Sequence, residues 1–353
     1  VSTTQATALV AAREIRVKLR DRTFLISTLF FLLIAAAATV LPPLLDGGPA
    51  SVAATEASAG KLRAAGLDVR VVPDDRAAEQ AVRDGDVDAA VVAGPVVLAM
   101  DEAPDDVVSA LSTAPPVRLL DPDAVDPVVA FLVPFAFAFL FFVTSQTFGM
   151  QIAQSVIEEK QTRVVEILVA AVPVRALLAG KLIAGTLLAL GQIILVALAA
   201  VVGMRFTDTG GLLDLLAPAI GWFLPFFLFG FVLVAAMWVA AGALVARLED
   251  IGGVSMPVQL AVMLPFFAVI FLNDNPAAMP ALSYLPFSAP TAMPLRLFTG
   301  DAAGWEPLVS LAVLLVTAGL VLAAGARVYE GSLLRTNGRT SLRTAWRGRE
   351  PLG

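Results

Sequence analysis

An all-α polytopic membrane protein with six transmembrane helices, plus a small extracytoplasmic α/β insert between the first and second spans, is the fold that the sequence predicts. Three observations carry this prediction. Of the 353 residues 58% are hydrophobic and 15% charged, with a mean hydropathy of +0.83, whereas about a quarter of an ordinary soluble domain is charged. Six charge-free runs are long enough to cross a bilayer, where every backbone polar group needs an intrahelical partner. Between the first two runs the composition turns acidic and soluble, with 16 acidic and 6 basic residues over positions 46–126.

Residues 1–22 open the chain as a basic amphipathic helix. Ala8, Ala12, Ile15 and Leu19 recur at helical spacing, and Arg13, Arg16 and Arg20 fall on another face; such a helix lies along a charged membrane interface or packs on a cytosolic partner. The first span covers 23–45. It is too long for the apolar core of a signal peptide and reads as a signal anchor.

Positions 46–126 predict a small α/β domain. A helix from Ala53 to Ala65 is closed by Gly66, and Val69 and Val71 alternate as in a strand. A second helix, capped by Asp74 or Asp75, runs to Arg83 and ends at Gly85; Val87 to Val92 and Pro95 to Met100 supply further strands. Its ligand is not readable.

Residues 127–329 hold the other five spans: Pro127 to Ile157, Leu182 to Met204, Leu215 to Ala246, Ile251 to Asn273 and Pro307 to Ala326. The run from Leu215 carries Pro218 and Pro225, so its start is expected to form a short interfacial helix before the span proper. Between the second and third spans, over 156–175, lies a charged elbow with Glu158, Glu159, Lys160, Arg163 and Glu166, then Pro173, Arg175 and Lys181. Glu159, Arg163 and Glu166 share a helical face; by spacing alone this is either a solvated face or a docking surface. Before the last span, over 274–300, Pro286, Pro290 and Pro294 interrupt any regular helix and suggest an external gate, with Arg296 beside them as an interfacial anchor. A basic tail follows over 330–353, reading as disordered, bound to headgroups or in contact with a partner.

Lys and Arg set the orientation. The two termini and the loops on their side carry 16 of the 24 basic residues against 9 acidic ones, and the other side carries 8 basic and 21 acidic. Both termini are therefore cytosolic and the insert is outside, an asymmetry that the net charge of -6 hides.

The sequence also excludes chemistry. With no His and no Cys there is no imidazole base, thiol nucleophile or usual zinc site, and no paired acids stand within a span to serve an intramembrane enzyme. No charge sits in the middle of any span, where proton- or ion-driven transporters place ionisable groups, so energy must come from a partner. Gln146, Gln151, Gln192 and Gln259 are the polar candidates for a translocation path. The text around Lys181 lacks the first Gly and the final hydroxyl of a phosphate-binding loop, so this chain does not hold ATP by that route.

The run Glu158-Glu159-Lys160-Gln161-Thr162-Arg163-Val164-Val165-Glu166-Ile167-Leu168, then Pro173-Val174 and Gly180-Lys181-Leu182, resembles the cytosolic signature of type-2 ATP-binding-cassette (ABC) exporter permeases, especially their sodium-exporter permease-like branch. Leu285-Pro286-Phe287-Ser288-Ala289-Pro290-Thr291-Ala292-Met293-Pro294-Leu295-Arg296 is similar to that branch's proline-rich segment before the last span. The resemblance implies a permease subunit of the cytoplasmic (inner) membrane that has no catalytic site and binds no cofactor. It would pair with a second permease copy or a homologous one and work with a separate ABC ATP-binding subunit that holds ATP and Mg. It further implies that 1–22, with Arg13, Arg16 and Arg20, is a connecting helix, and that 156–175 is a coupling helix whose Glu158, Glu159, Arg163, Glu166 and Arg175 meet the ATPase. No nucleic acid is expected as a partner; membrane lipid is.

The cargo stays open among an amphiphilic small molecule, a drug and an ion. Sodium would need clustered oxygen ligands, and the one dense polar group, Asn273, Asp274 and Asn275, stands at the end of a span. A membrane sensor with an external ligand-binding domain is the rival from another class, but it needs far less membrane than six spans.

Overall fold

A computed structural model of the protein describes residues 2–45, 51–92, 96–100, 105–111, 127–162, 172–206, 210–273, 275–332 and 341–347. Two compact units emerge: residues 40–124, and the remainder of the chain. Helices α1 (Thr3–Lys18) and α2 (Arg22–Leu45) come first in the chain.

The smaller unit runs β1 (Ser51–Ala54), α3 (Glu56–Ala64), β2 (Asp68–Val71), α4 (Asp75–Arg83), β3 (Ala89–Val92), β4 (Val96–Ala99) and α5 (Asp105–Leu111). The strand order is β2-β1-β3-β4. β1 pairs in parallel with both β2 and β3, and β4 closes the edge antiparallel to β3. Alternation sorts the core: Val52 and Ala54 of β1 face Leu62 of α3 and Val107 of α5, whereas Ala53 faces Ala78 and Val82 of α4. Both helix stops fall where the sequence puts them, at Gly66 (φ 85°) and Gly85 (φ 73°). Asp74 caps α4 by accepting from the Ala77 amide. At the start of β1, Asp88 accepts from both the amide and the hydroxyl of Ser51, which holds its carboxyl below the ordinary value. One sequence expectation fails here. Ala53 and Ala54 belong to the central strand β1 and not to the opening of the helix, which starts at Glu56, because a strand buried on both faces shows no polar alternation.

The larger unit continues with α6 (Pro127–Gln161), α7 (Val174–Phe206), α8 (Gly210–Leu244), a 3-10 turn (Leu248–Asp250), α9 (Ile251–Phe271), α10 (Ala278–Tyr284), α11 (Ala289–Phe298), α12 (Glu306–Ser332) and α13 (Leu342–Arg347). Among the described residues, five helices are long and apolar enough to cross a membrane: α6, α7, α8, α9 and α12. In α2, the described apolar stretch is Phe24–Ala36.

α8 is the axis of the bundle. In its most apolar stretch 61% is buried inside the protein, against 22–39% for the other four, and α6, α7, α9, α11 and α12 all pack on it. Phe223, Phe227, Phe231, Val234 and Trp238 form its core stripe. Small residues bring the backbones together, as is usual where lipid supplies no hydrophobic drive between helices: a Cβ on Gly242 would stand 2.7 Å from the Ala153 carbonyl oxygen of α6, and one on Gly149 would enter the Trp238 indole.

Four further expectations are corrected. The α8 helix is continuous through Pro218 and Pro225, because neighbouring helices let membrane helices tolerate proline. The face of α1 that packs is Ala6, Val10 and Ala11; Ala8 and Ala12 are exposed, since small residues on α7 admit the other stripe more closely. Arg296 is buried and ion-paired, and is not an interfacial anchor. Within the basic tail, Leu342–Arg347 is helical and docks on α12: Ala345 is buried against Leu244 and Val328, and the Arg327 guanidinium lies 5.3 Å from the Trp346 ring centroid.

Candidate functional site

The densest polar constellation sits where α1, the end of α6 and the start of α7 meet. Helix α7 begins at Val174, not at the apolar run from Leu182, so Lys181 lies two turns inside it and is 3% exposed. A buried ammonium with three donors needs three acceptors. It has them: Nζ donates to Ser155 Oγ at 2.6 Å, Glu159 Oε1 at 2.9 Å and Glu14 Oε1 at 3.1 Å.

Two glycines make that geometry reachable. Gly180 lies so close to α1 that a Cβ there would sit 2.5 Å from Val10 Cγ1; Glu14, one turn after Val10, is thereby brought onto Lys181. On the other side Gly185 admits Ile152 of α6, and Ser155 and Glu159 follow Ile152 on the same helical stripe. Glu159 is the shared carboxylate. Its Oε1 also stands 3.8 Å from Arg13 Nη1, a pair half in solvent and weak, while its Oε2 has no hydrogen-bond partner among the described residues.

Two more ties close this end of the bundle. Lys160 is 1% exposed and donates to the Ala243 carbonyl at 2.7 Å, placing a cation on the unsatisfied C-terminal turn of α8. Arg175 Nε reaches Glu330 Oε1 at 2.8 Å and links the start of α7 to the end of α12.

The sequence-nominated coupling residues therefore separate. Glu158 is exposed at the end of α6, Arg175 is exposed on α7, and Glu159 turns inward to Lys181. Arg163 and Glu166 lie outside the described residues. Of the α1 arginines, Arg13 joins the cluster through Glu159, whereas Arg16 and Arg20 are exposed. Sequence reasoning missed Glu14, Ser155 and the burial of Lys181. The signal for it was available: one cation directly before the apolar run from Leu182, flanked by glycines at 180 and 185.

The four glutamines have separate surroundings. Gln192 is buried and accepts from Thr28 Oγ1 of α2 at 3.3 Å; Gln259 donates to Ser255 on its own helix; Gln151 borders the Lys181 cluster; and the Gln146 Oε1 is buried without a partner among the described residues.

At the opposite end of the helices, α10 and α11 form a helical hairpin. Pro286 lies in its turn, Pro290 starts α11 and Pro294 lies inside α11. The hairpin is buried against α8, where Pro290 fills the space left by Gly230, so it is a packed wedge and not a loose flap. Arg296 fastens it: Nη1 donates to Glu306 Oε2 at 2.5 Å and Ser283 Oγ at 2.9 Å, and Nη2 to the Asp301 carbonyl at 2.8 Å. Tyr284 donates to the same Glu306 oxygen at 3.1 Å.

The chain is 28% identical over 208 residues to the uncharacterized protein YhaP of Bacillus subtilis (strain 168), covering 56% of this chain and 50% of that one. It is 27% identical over 191 residues to the uncharacterized protein MJ1024 of Methanocaldococcus jannaschii, covering 53% and 46%. The chain thus spans about half the length of the curated relatives it matches. No solved structure matches. The family model described as ABC-2 family transporter protein matches residues 102–327, from the end of the α/β unit into α12, and by that match over more than half of its length the chain belongs to the ABC-2 transporter family.

Proposed function

We propose that this multi-pass membrane protein is the transmembrane permease subunit of an ATP-driven exporter, working with a separate ATP-binding subunit that holds ATP and Mg and with a second permease copy. In this reading α2 is the first of six spans, both termini are cytosolic in the inner membrane, and the α/β unit is outside. The cargo is an amphiphilic small molecule, in keeping with the apolar character of the helices.

The observation that carries the reading is the Lys181 cluster. Two oppositely directed spans, α6 and α7, are joined to α1 by one buried ammonium at the end where residues 163–171 connect them. A partner that displaces this end moves α1, α6 and α7 as one body, because the ionic contacts are short and Lys181 and Glu159 are buried. Glu158, Arg163, Glu166 and Arg175 are the residues proposed to meet the ATPase, and α1 with Arg13, Arg16 and Arg20 is the proposed connecting helix. Glu159 acts from inside, as the acceptor that binds the joint together.

Purification from native membranes in mild detergent tests this. Wild-type chain is expected to bring down a Walker-motif ATPase and ATP hydrolysis, and an Arg163→Ala, Glu166→Ala double variant to lose both at equal membrane abundance. A chain that emerges alone, or a double variant that retains its ATPase, overturns the coupling assignment.

A further inference from the structure

The Tyr329 side chain of α12 is wholly buried, and its hydroxyl has no hydrogen-bond partner among the described residues. A buried phenol ordinarily finds one, because an unpaired hydroxyl costs free energy that the packing of the ring must offset. Glu159 Oε2 stands in the complementary position. Among the described residues it is the one buried carboxylate oxygen without a donor, and Lys181 does not serve it, since its three protons go to Ser155, Glu14 and the other oxygen of Glu159.

Four helices bring the two groups to one level of the bundle. Next to Glu159, Lys160 reaches the Ala243 carbonyl of α8; next to Tyr329, Glu330 reaches Arg175 at the start of α7. Tyr329 shares one apolar core with Val156 of α6, Leu178 of α7 and Val239 of α8, and Val156 lies one turn before Glu159 on the same stripe of α6. Buried as it is, the hydroxyl also feels the charges of Glu159 and Glu14. A phenol donor and a carboxylate acceptor, both enclosed, are thus held at the same end of the bundle with no bond between them, an arrangement that calls for a second one in which they meet.

We propose that Tyr329 is a positioning residue of the Lys181 cluster: this end of the bundle passes between the described arrangement and one in which the Tyr329 hydroxyl donates to Glu159 Oε2. In the bonded arrangement both oxygens of Glu159 are held and α12 is joined to the body formed by α1, α6 and α7, so the last span moves with the end on which the ATP-binding subunit is proposed to act. Only that consequence rests on the coupling reading; the bond is a property of the chain alone and is tested without the ATPase.

The chain has two tyrosines, Tyr284 and Tyr329, so the full chain labelled with carbon-13 at tyrosine Cζ and reconstituted in phosphatidylcholine vesicles gives one solid-state NMR resonance for each, and Tyr284→Phe identifies that of Tyr329. Donation to a carboxylate moves Cζ downfield. Glu159→Asp keeps the charge and draws the carboxylate back by one methylene; Glu159→Gln removes the carboxylate. Each is expected to move the Tyr329 resonance upfield by at least twice what Glu14→Gln does, because Glu14 acts on the hydroxyl through its charge alone. The thermal midpoint gives a second reading: Tyr329→Phe, which deletes only the hydroxyl, should lower it in wild type and by less than half as much beside Glu159→Gln. A Tyr329 resonance unmoved by both Glu159 variants, one moved as far by Glu14→Gln, or a Tyr329→Phe loss that is the same in both backgrounds each overturn the proposal.

Discussion

Replacing Lys181 by Met keeps the length of the side chain and removes its charge. Glu14 and Glu159 then face each other with side chains 14% and 8% exposed, Ser155 loses its donor, and the remaining cation, Arg13, stands 3.8 Å from Glu159 and half in solvent. Breaking a buried pair from one side costs about 3–5 kcal/mol, and the two carboxylates sharing one cation put this site toward the upper end. For a chain of 353 residues the cost corresponds to a fall in thermal midpoint of about 4–7 °C, read by the loss of the monodisperse peak in detergent after heating. The cause is charge left without a partner and not lost packing, so neutralising the acids must help: Lys181→Met with Glu14→Gln and Glu159→Gln is expected to recover at least about half of the loss. A single variant within about 1 °C of wild type, or a triple variant no better than the single, would refute the reasoning.

At the other end, Arg296→Met is expected to strand Glu306 and loosen the hairpin, lowering the midpoint by a comparable amount; Arg296→Met with Glu306→Gln should restore part of it, and faster proteolysis within 275–305 in the single variant checks the location. Gly242→Ala places a Cβ 2.7 Å from the Ala153 carbonyl oxygen, so α6 and α8 must separate at a cost of about 1–3 kcal/mol; an unchanged midpoint would show that the helices are not in backbone contact. In the α/β unit the lowered Asp88 carboxyl contributes stability that is full above its unfolded value near 3.9 and disappears as pH falls through the lower folded value. Resistance to pepsin is therefore expected to fall less between pH 4 and 2 (about the range of the titration) in Asp88→Asn than in wild type; superimposable profiles would sink the assignment.

What the sequence displayed and what it hid follow from where side chains point. Apolar runs mark crossing helices because lipid must be faced with hydrocarbon, and Gly66 and Gly85 mark stops because their backbones are left-handed. Of the two aspartates that the sequence offers as a cap, Asp74 and Asp75, it is Asp74 that serves. The strand Ser51–Ala54 was hidden, since its four residues alternate between two buried faces and carry no polar rhythm. The stripe of α1 was misjudged for a related reason: hydrophobicity nominates Ala8, Ala12, Ile15 and Leu19, but fit against Gly180 decides for Val10, and fit belongs to two helices at once. The charged elbow was legible as a charged segment. That Glu159 turns inward while Glu158 faces out depends on a lysine 22 residues away in the chain, and no local pattern contains it. Of the three prolines expected to break a helix only Pro286 does, because Pro290 stands in the first turn of α11, where it needs no amide partner, and the packed neighbours of Pro294 let α11 continue through it; the segment's burial follows from Gly230 on another element.

The central place of α8 sets an order of manufacture. When this helix leaves the ribosome, α6 is already available to receive Gly242, whereas Gly230 awaits Pro290 and Ala236 awaits Gly325. At ordinary elongation rates of about 5–20 residues per second, Gly325 follows Ala236 only after about 5–20 seconds. For that interval the most enclosed helix of the finished protein has two of its faces without their partners, and a nascent chain stalled before α12 keeps one of them uncovered for as long as the stall lasts.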